Sequence, residues 1–149
     1  MTISSRRTPC VGICSTTYGD LVCRGCKRFA HEIIDWNTYS DDQHARVWQR
    51  LNALRDACVD QYVVVVDAQR FDVVIASLRL DLAVPYTRGG LVYELLRRRG
   101  RTLATLAEVG LEARTGSDSA GAIRDEIDRE FMARSRAAYE RSFHTSVDG

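Results

Sequence analysis

Cys10, Cys14, Cys23 and Cys26 form the pattern C-x3-C-x8-C-x2-C within 17 residues, and this spacing constrains the chain more than any other feature. Within each pair a turn can aim both sulfurs at one point, and the eight-residue loop is long enough to bring the second pair opposite the first. Gly12 and Gly25 fall inside the pairs, where a tight turn toward a ligand needs backbone freedom. Residues 9–28 contain almost no apolar core formers, so burial alone does not fold them and a cross-link is required. The N-terminus has Arg6 and Arg7 but no apolar run behind them, so the reading is no secretory signal, a cytoplasmic location and reduced thiols. A tetrathiolate metal centre is then the expectation, with Cys10, Cys14, Cys23 and Cys26 as ligands. Zinc would make it a closed structural site, and an iron–sulfur cluster would add electron transfer or sensing. Arg24, Lys27 and Arg28 would offset the negative charge of either centre, so they do not separate the two.

Hydrophobic spacing organises the rest. Phe29, Ile33 and Trp36 recur at helical intervals and predict about two turns sealing the cysteine segment. Ser40 with Gln43 is a capping-box signature, so a helix is expected from residue 41, with Val47, Leu51, Leu54 and Cys58 as its apolar stripe and Trp48 broadening it. Arg46, Arg50 and Arg55 are expected elsewhere on that cylinder. Tyr62–Val66 is apolar at every position and predicts a strand buried on both faces. Asp67 is expected to cap a helix with Phe71, Val74, Ile75 and Leu78 inward, before a second short strand at Leu82–Val84. Further helices are expected at Gly90–Arg99, with Val92, Leu95 and Leu96 inward and Gly100 as its stop, and at Thr102–Val109, stopped by Gly110.

The fold class read from this pattern is α+β and helix-rich: an N-terminal four-cysteine metal knuckle with two helices, a small α/β region, and a C-terminal helix. The segments are a mobile arm at 1–8, the metal module at 9–58, the α/β region at 59–113, a turn-rich linker at 114–121, a charged helix at 122–141 striped by Ile123, Ile127, Phe131 and Arg134, and a frayed tail at 142–149.

Pro9-Cys-Val-Gly-Ile-Cys14, Cys23-Arg-Gly-Cys26 with Arg28, Glu32-Ile33, Trp36 and Ser40-Asp41 are similar to the pattern of a bacterial four-cysteine family. That family is described as a predicted iron–sulfur protein and otherwise as a domain of unknown function. The resemblance covers residues 8–56 and implies the four cysteines as ligands, with residues 59–149 as an extension. Tyr18, Val22 and Tyr39 depart from the pattern without removing a ligand.

Net charge of +1 gives no global field toward nucleic acid or membrane, and no apolar stretch reaches the length needed to span a bilayer. Arg97, Arg98, Arg99 and Arg101 form the densest basic run, a candidate anion or partner contact, with helix-dipole compensation as the simpler account. Cys58 reads as core, His31 and His44 as solvent-facing or capping, His144 as part of the tail, and Trp36 and Trp48 as packing groups. No phosphate-loop, nucleophile-elbow or zinc-protease motif occurs, so a non-enzymatic interaction or regulatory module with a protein partner is the expectation. An iron–sulfur redox carrier or sensor and a nucleic-acid-binding regulator are the alternatives.

Overall fold

The computed structural model describes residues 8–9, 15–81, 83–114, 116 and 119–148. Residues 1–7 of the expected arm, Cys10, Cys14, Leu82, and residues 115, 117 and 118 of the expected linker lie outside them. The described residues are helix-rich, with α1 at Ala30–Asp35, α2 at Asp41–Tyr62, α3 at Ala68–Ser77, α4 at Arg88–Arg99 and α5 at Ala120–Asp148. Two short strands, β1 at Val63–Val65 and β2 at Leu111–Ala113, form one antiparallel pair. The chain divides into two compact units: Met1–Leu54 with Ala83–Pro85 and Glu130–Gly149, and Arg55–Leu82 with Tyr86–Arg129.

In the first unit, α2 begins where the capping signature places it. Gln43 N–H donates to Ser40 Oγ at 3.2 Å, and Ser40 N–H donates to Gln43 Oε1 at 2.8 Å. Val47, Trp48 and Leu51 are buried. Val22, Phe29 and Ala138 form a small core, with Leu54, Met132 and Tyr139 packed on it. Phe29 meets Tyr139 edge-on at 5.2 Å, the orientation favoured by aromatic quadrupoles. Among the described side chains of α5 in this unit, Phe131, Ser135 and Ala138 are buried, spaced by four and three.

In the second unit, Asp67 caps α3 by accepting Arg70 N–H at 3.1 Å, and Phe71 is completely buried. Full burial of one such side chain contributes about 2–3 kcal/mol. Thr87 caps α4 by accepting Gly90 N–H at 3.0 Å, and Val92, Leu95 and Leu96 face inward as expected. Ile123 and Ile127 of α5 are also buried.

Several expectations are corrected. Tyr62 is the last residue of α2 rather than the first of a strand, and Val66 is 57% exposed. Of the valine run only Val63 is buried, with Val64 and Val65 half-buried, so it is not covered on both faces. No strand forms at Ala83 and Val84, which lie in a turn and bend, and the partner of β1 comes from 111–113. The helix expected at Thr102–Val109 shrinks to one 3-10 turn, Leu106–Val109. Its stop is as expected: Gly110 adopts φ 78°, a left-handed conformation that glycine takes without a Cβ clash. A Cβ there would lie 2.4 Å from the Asp67 carbonyl oxygen. Backbone at 142–148 is helical, not frayed. Arg55, expected away from the apolar face, is buried, its guanidinium 5.9 Å from the Tyr93 ring centroid.

Candidate metal centre

Residues 21–30 turn back on themselves as a minimal hairpin. Ala30 N–H donates to Leu21 O at 2.8 Å, Cys23 N–H donates to Arg28 O at 2.9 Å, and Val22 bridges Phe29. The loop is closed by Lys27 N–H donating to Cys23 O at 2.9 Å. Lys27 takes φ 67°, a left-handed conformation that reverses the chain directly after Cys26.

This turn sorts the polar backbone. N–H groups of Gly25 and Cys26 face the Cys23 sulfur, and Ser15 N–H reaches the same atom. Ser15 Oγ also accepts Arg24 N–H at 2.8 Å. On the opposite side of the turn, the Lys27 ammonium donates to the carbonyls of Arg24 and Gly25 and lies 5.5 Å from the Phe131 ring centroid. Lys27 is the only lysine in the chain and is 1% exposed. A buried lysine needs such partners, because taking an ammonium out of water without acceptors is costly.

Cys23 and Cys26 are buried thiols in hydrogen-bonding contact with each other. Burial pushes the Cys23 thiol up, but the N–H groups of Cys26, Ser15 and Gly25, with the Cys26 side chain, outweigh it and bring it to about 7. Burial dominates at Cys26 and raises its thiol, opposed by the Arg28 guanidinium, whose Nε donates to Cys26 Sγ at 3.3 Å. Arg28 is held over Trp36, 5.0 Å from the ring centroid. Trp36 stacks in turn on His44 at 4.2 Å, and His44 Nε2 donates to the Trp36 carbonyl at 2.6 Å. His44 is therefore buried between α2 and the 3-10 turn at Trp36–Thr38 and is not a solvent-facing group, whereas His31 is exposed.

A second support was not anticipated. Glu32 accepts Phe29 N–H at 2.8 Å, capping α1, and takes both arms of Arg50 at 2.6 Å each. Arg50 also covers the Phe29 ring at 4.0 Å. The sequence signal was present in part: a glutamate three residues into a helix is a cap partner, but nothing local tied it to a residue 18 positions on. Ser15 was likewise missed, although it directly follows Cys14.

Among the described residues no group of three His, Cys, Asp or Glu side chains comes together, and Cys10 and Cys14 lie outside those residues. Cys58 is buried in α2, and Trp36 and Trp48 are packed as expected. In the second unit the arginine run is partly committed internally. Arg97 donates to both Glu94 oxygens at 2.8 and 3.3 Å, and Arg98 donates to Oε2 at 3.1 Å. Those bonds to Glu94 raise the Arg97 guanidinium further above its ordinary range, against its burial. Arg99 and Arg101 are exposed. Tyr93 O–H donates to Asp128 at 2.7 Å, and burial followed by that carboxylate drives its pKa strongly upward.

No helix among the described residues is long and apolar enough to cross a membrane. Residues 8–55 match the family described as Protein of unknown function (DUF1289), a segment that holds all four paired cysteines and ends within α2. No curated protein and no solved structure matches the chain.

Proposed function

We propose that the segment matching this family folds around a single metal ion held by Cys10, Cys14, Cys23 and Cys26, that the ion is zinc, and that the chain is an interaction module rather than an enzyme. The observation that carries this reading is the convergence on Cys23: three backbone N–H groups and the Cys26 thiol surround its sulfur. Such donors stabilise thiolate, the form that binds metal. Ser15 supports the four-ligand set, because the residue directly after Cys14 is laid against the second cysteine pair.

The thiols of Cys23 and Cys26 lie in hydrogen-bonding contact, an arrangement that two ligands of one tetrahedral ion can keep. Two thiolates on one tetrahedral zinc, with Zn–S near 2.3 Å, stand about 3.8 Å apart, within reach of such a contact. Zinc bound by four thiolates supplies folding free energy and keeps no open position for a substrate. Buried Lys27 and Arg28 offset the charge such a centre carries. The iron–sulfur carrier or sensor keeps the same four ligands and differs in the metal. A nucleic-acid role through Arg97–Arg101 has less support, since Glu94 already engages two of those arginines.

The test is Cys23→Ser in the full chain, with metal content and backbone NMR compared with wild type. Loss of metal, with unfolding confined to residues 9–36, is the expected outcome. A variant that keeps its metal and the native resonances of Val22 and Phe29 would overturn the reading.

A further inference from the structure

We infer that the outer edge of β1 is a docking site for an extended peptide segment that alternates apolar with basic side chains. Register supplies the first step. Arg114 N–H donates to Tyr62 O at 2.8 Å and Val66 N–H donates to Gly110 O at 2.9 Å, with Val64 opposite Glu112. In an antiparallel ladder, hydrogen-bonded and non-hydrogen-bonded pairs alternate. Residues 62, 64 and 66 therefore turn their main chain toward β2, and Val63 and Val65 turn theirs away from it; Val63 is buried, so the open main-chain groups of this edge are those of Val65.

The second step is the groove on that side, about 600 Å³, lined by Val63, Val64 and Val65 in succession. Successive strand side chains point to opposite faces, so a groove that meets three in a row runs along the strand edge. Its apolar wall includes Val59 and Val92, both buried. A segment laid there gains main-chain hydrogen bonds from Val65 and apolar contact from the wall, the physics of strand addition.

Charge selects the occupant. Asp56 and Asp60, one helical turn apart on α2, line the groove, with Arg88 the only basic residue among the described lining residues. Asp56 accepts the Thr87 hydroxyl at 2.6 Å, and Arg88 is held 5.6 Å from the Phe71 ring centroid. Asp60 is 82% exposed and meets Arg114 through one oxygen at 3.3 Å, so its carboxylate stays open to a further cation. An acidic rim beside an apolar strand edge suits lysine or arginine flanked by valine-like residues.

The probe is a fluorescein-labelled Val-Lys-Val-Lys-Val peptide titrated onto the full chain by anisotropy. Its counterpart is the same peptide N-methylated at alternate amides, which keeps the side chains and removes the main-chain donors. Saturable binding is expected, weakened about tenfold by N-methylation and by Val65→Pro, and several-fold by Asp60→Lys. Val65→Pro deletes an N–H that faces away from β2; if the variant loses its native circular dichroism, the N-methylated peptide on wild-type chain decides instead. Absence of binding, or binding indifferent to N-methylation, overturns the proposal. So does a wild-type dimer in sedimentation that Val65→Pro dissociates while the peptide fails to bind, because the edge would then belong to a second copy of this chain.

Discussion

The guanidinium of Arg50 meets the carboxylate of Glu32 arm to arm, Nη1 on Oε2 and Nη2 on Oε1, both at 2.6 Å. The pair spans 18 residues and ties the cap of α1 to the middle of α2, beneath the hairpin that carries Cys23 and Cys26. Glu32 side chain is 7% exposed and Arg50 24%, so solvent screens the pair little. Glu32→Gln keeps the volume and one acceptor but removes the charge, and should cost about 2–3 kcal/mol in urea unfolding. A double-mutant cycle with Arg50→Gln should return a coupling of about 1–2 kcal/mol, and additive costs would show that the pair contributes no coupling of its own.

Lys27 acts on the other side of the turn. Replacing it with Met preserves the stem but leaves the Arg24 and Gly25 carbonyls without their ammonium donor, at a cost of about 1–3 kcal/mol. The variant should release metal to a chelator faster than wild type. Equal release rates would show that the lysine only fills space beside Phe131.

Gly110 and Gly116 make a matched comparison. A Cβ at Gly110 meets the Asp67 carbonyl oxygen at 2.4 Å in a backbone of φ 78°, whereas one at Gly116 meets nothing within 4 Å. Gly110→Ala should lower stability by about 2 kcal/mol or more, and Gly116→Ala should stay within about 0.5 kcal/mol of wild type. Similar melting temperatures for the two variants would mean that β2 does not depend on the turn before it.

The pH dependence follows from Cys23. Burial raises its thiol, the surrounding N–H groups outweigh burial, and the result is about 7, below the ordinary cysteine value of 9.0. A lowered thiol favours thiolate, so its contribution to the site is present above the ordinary value and is lost as pH falls through 7. Metal release, followed with a colorimetric chelator, should therefore rise on acidification from neutrality. Retention unchanged down to about pH 5 would separate metal binding from this thiol.

Local chemistry made much of this architecture legible. Ser40 and Gln43 announce the start of α2, Asp67 the start of α3, and Gly110 a stop, because each acts on backbone within four residues. What escaped sequence reading depends on distant partners. Leu111–Ala113 is three residues with an exposed Glu112 in the middle, too short for alternation to reveal, and it is a strand only because Val63–Val65 is there to pair. Arg55 lies on a helix face that looks polar until Tyr93 and Gly90, some 35 residues on, come to cover it. At the candidate metal centre the cysteine spacing was readable at once. The donors around Cys23 were not, since Ser15 reaches it across the loop between the two pairs.

Metal analysis of the anaerobically purified full chain, with acid-labile sulfide and an absorbance spectrum on the same sample, decides whether the four thiolates hold one ion. About one zinc per chain, no sulfide and no visible absorbance is the expected result. Iron with matching sulfide and a brown colour would contradict it, as would a natively folded chain that holds no metal at all.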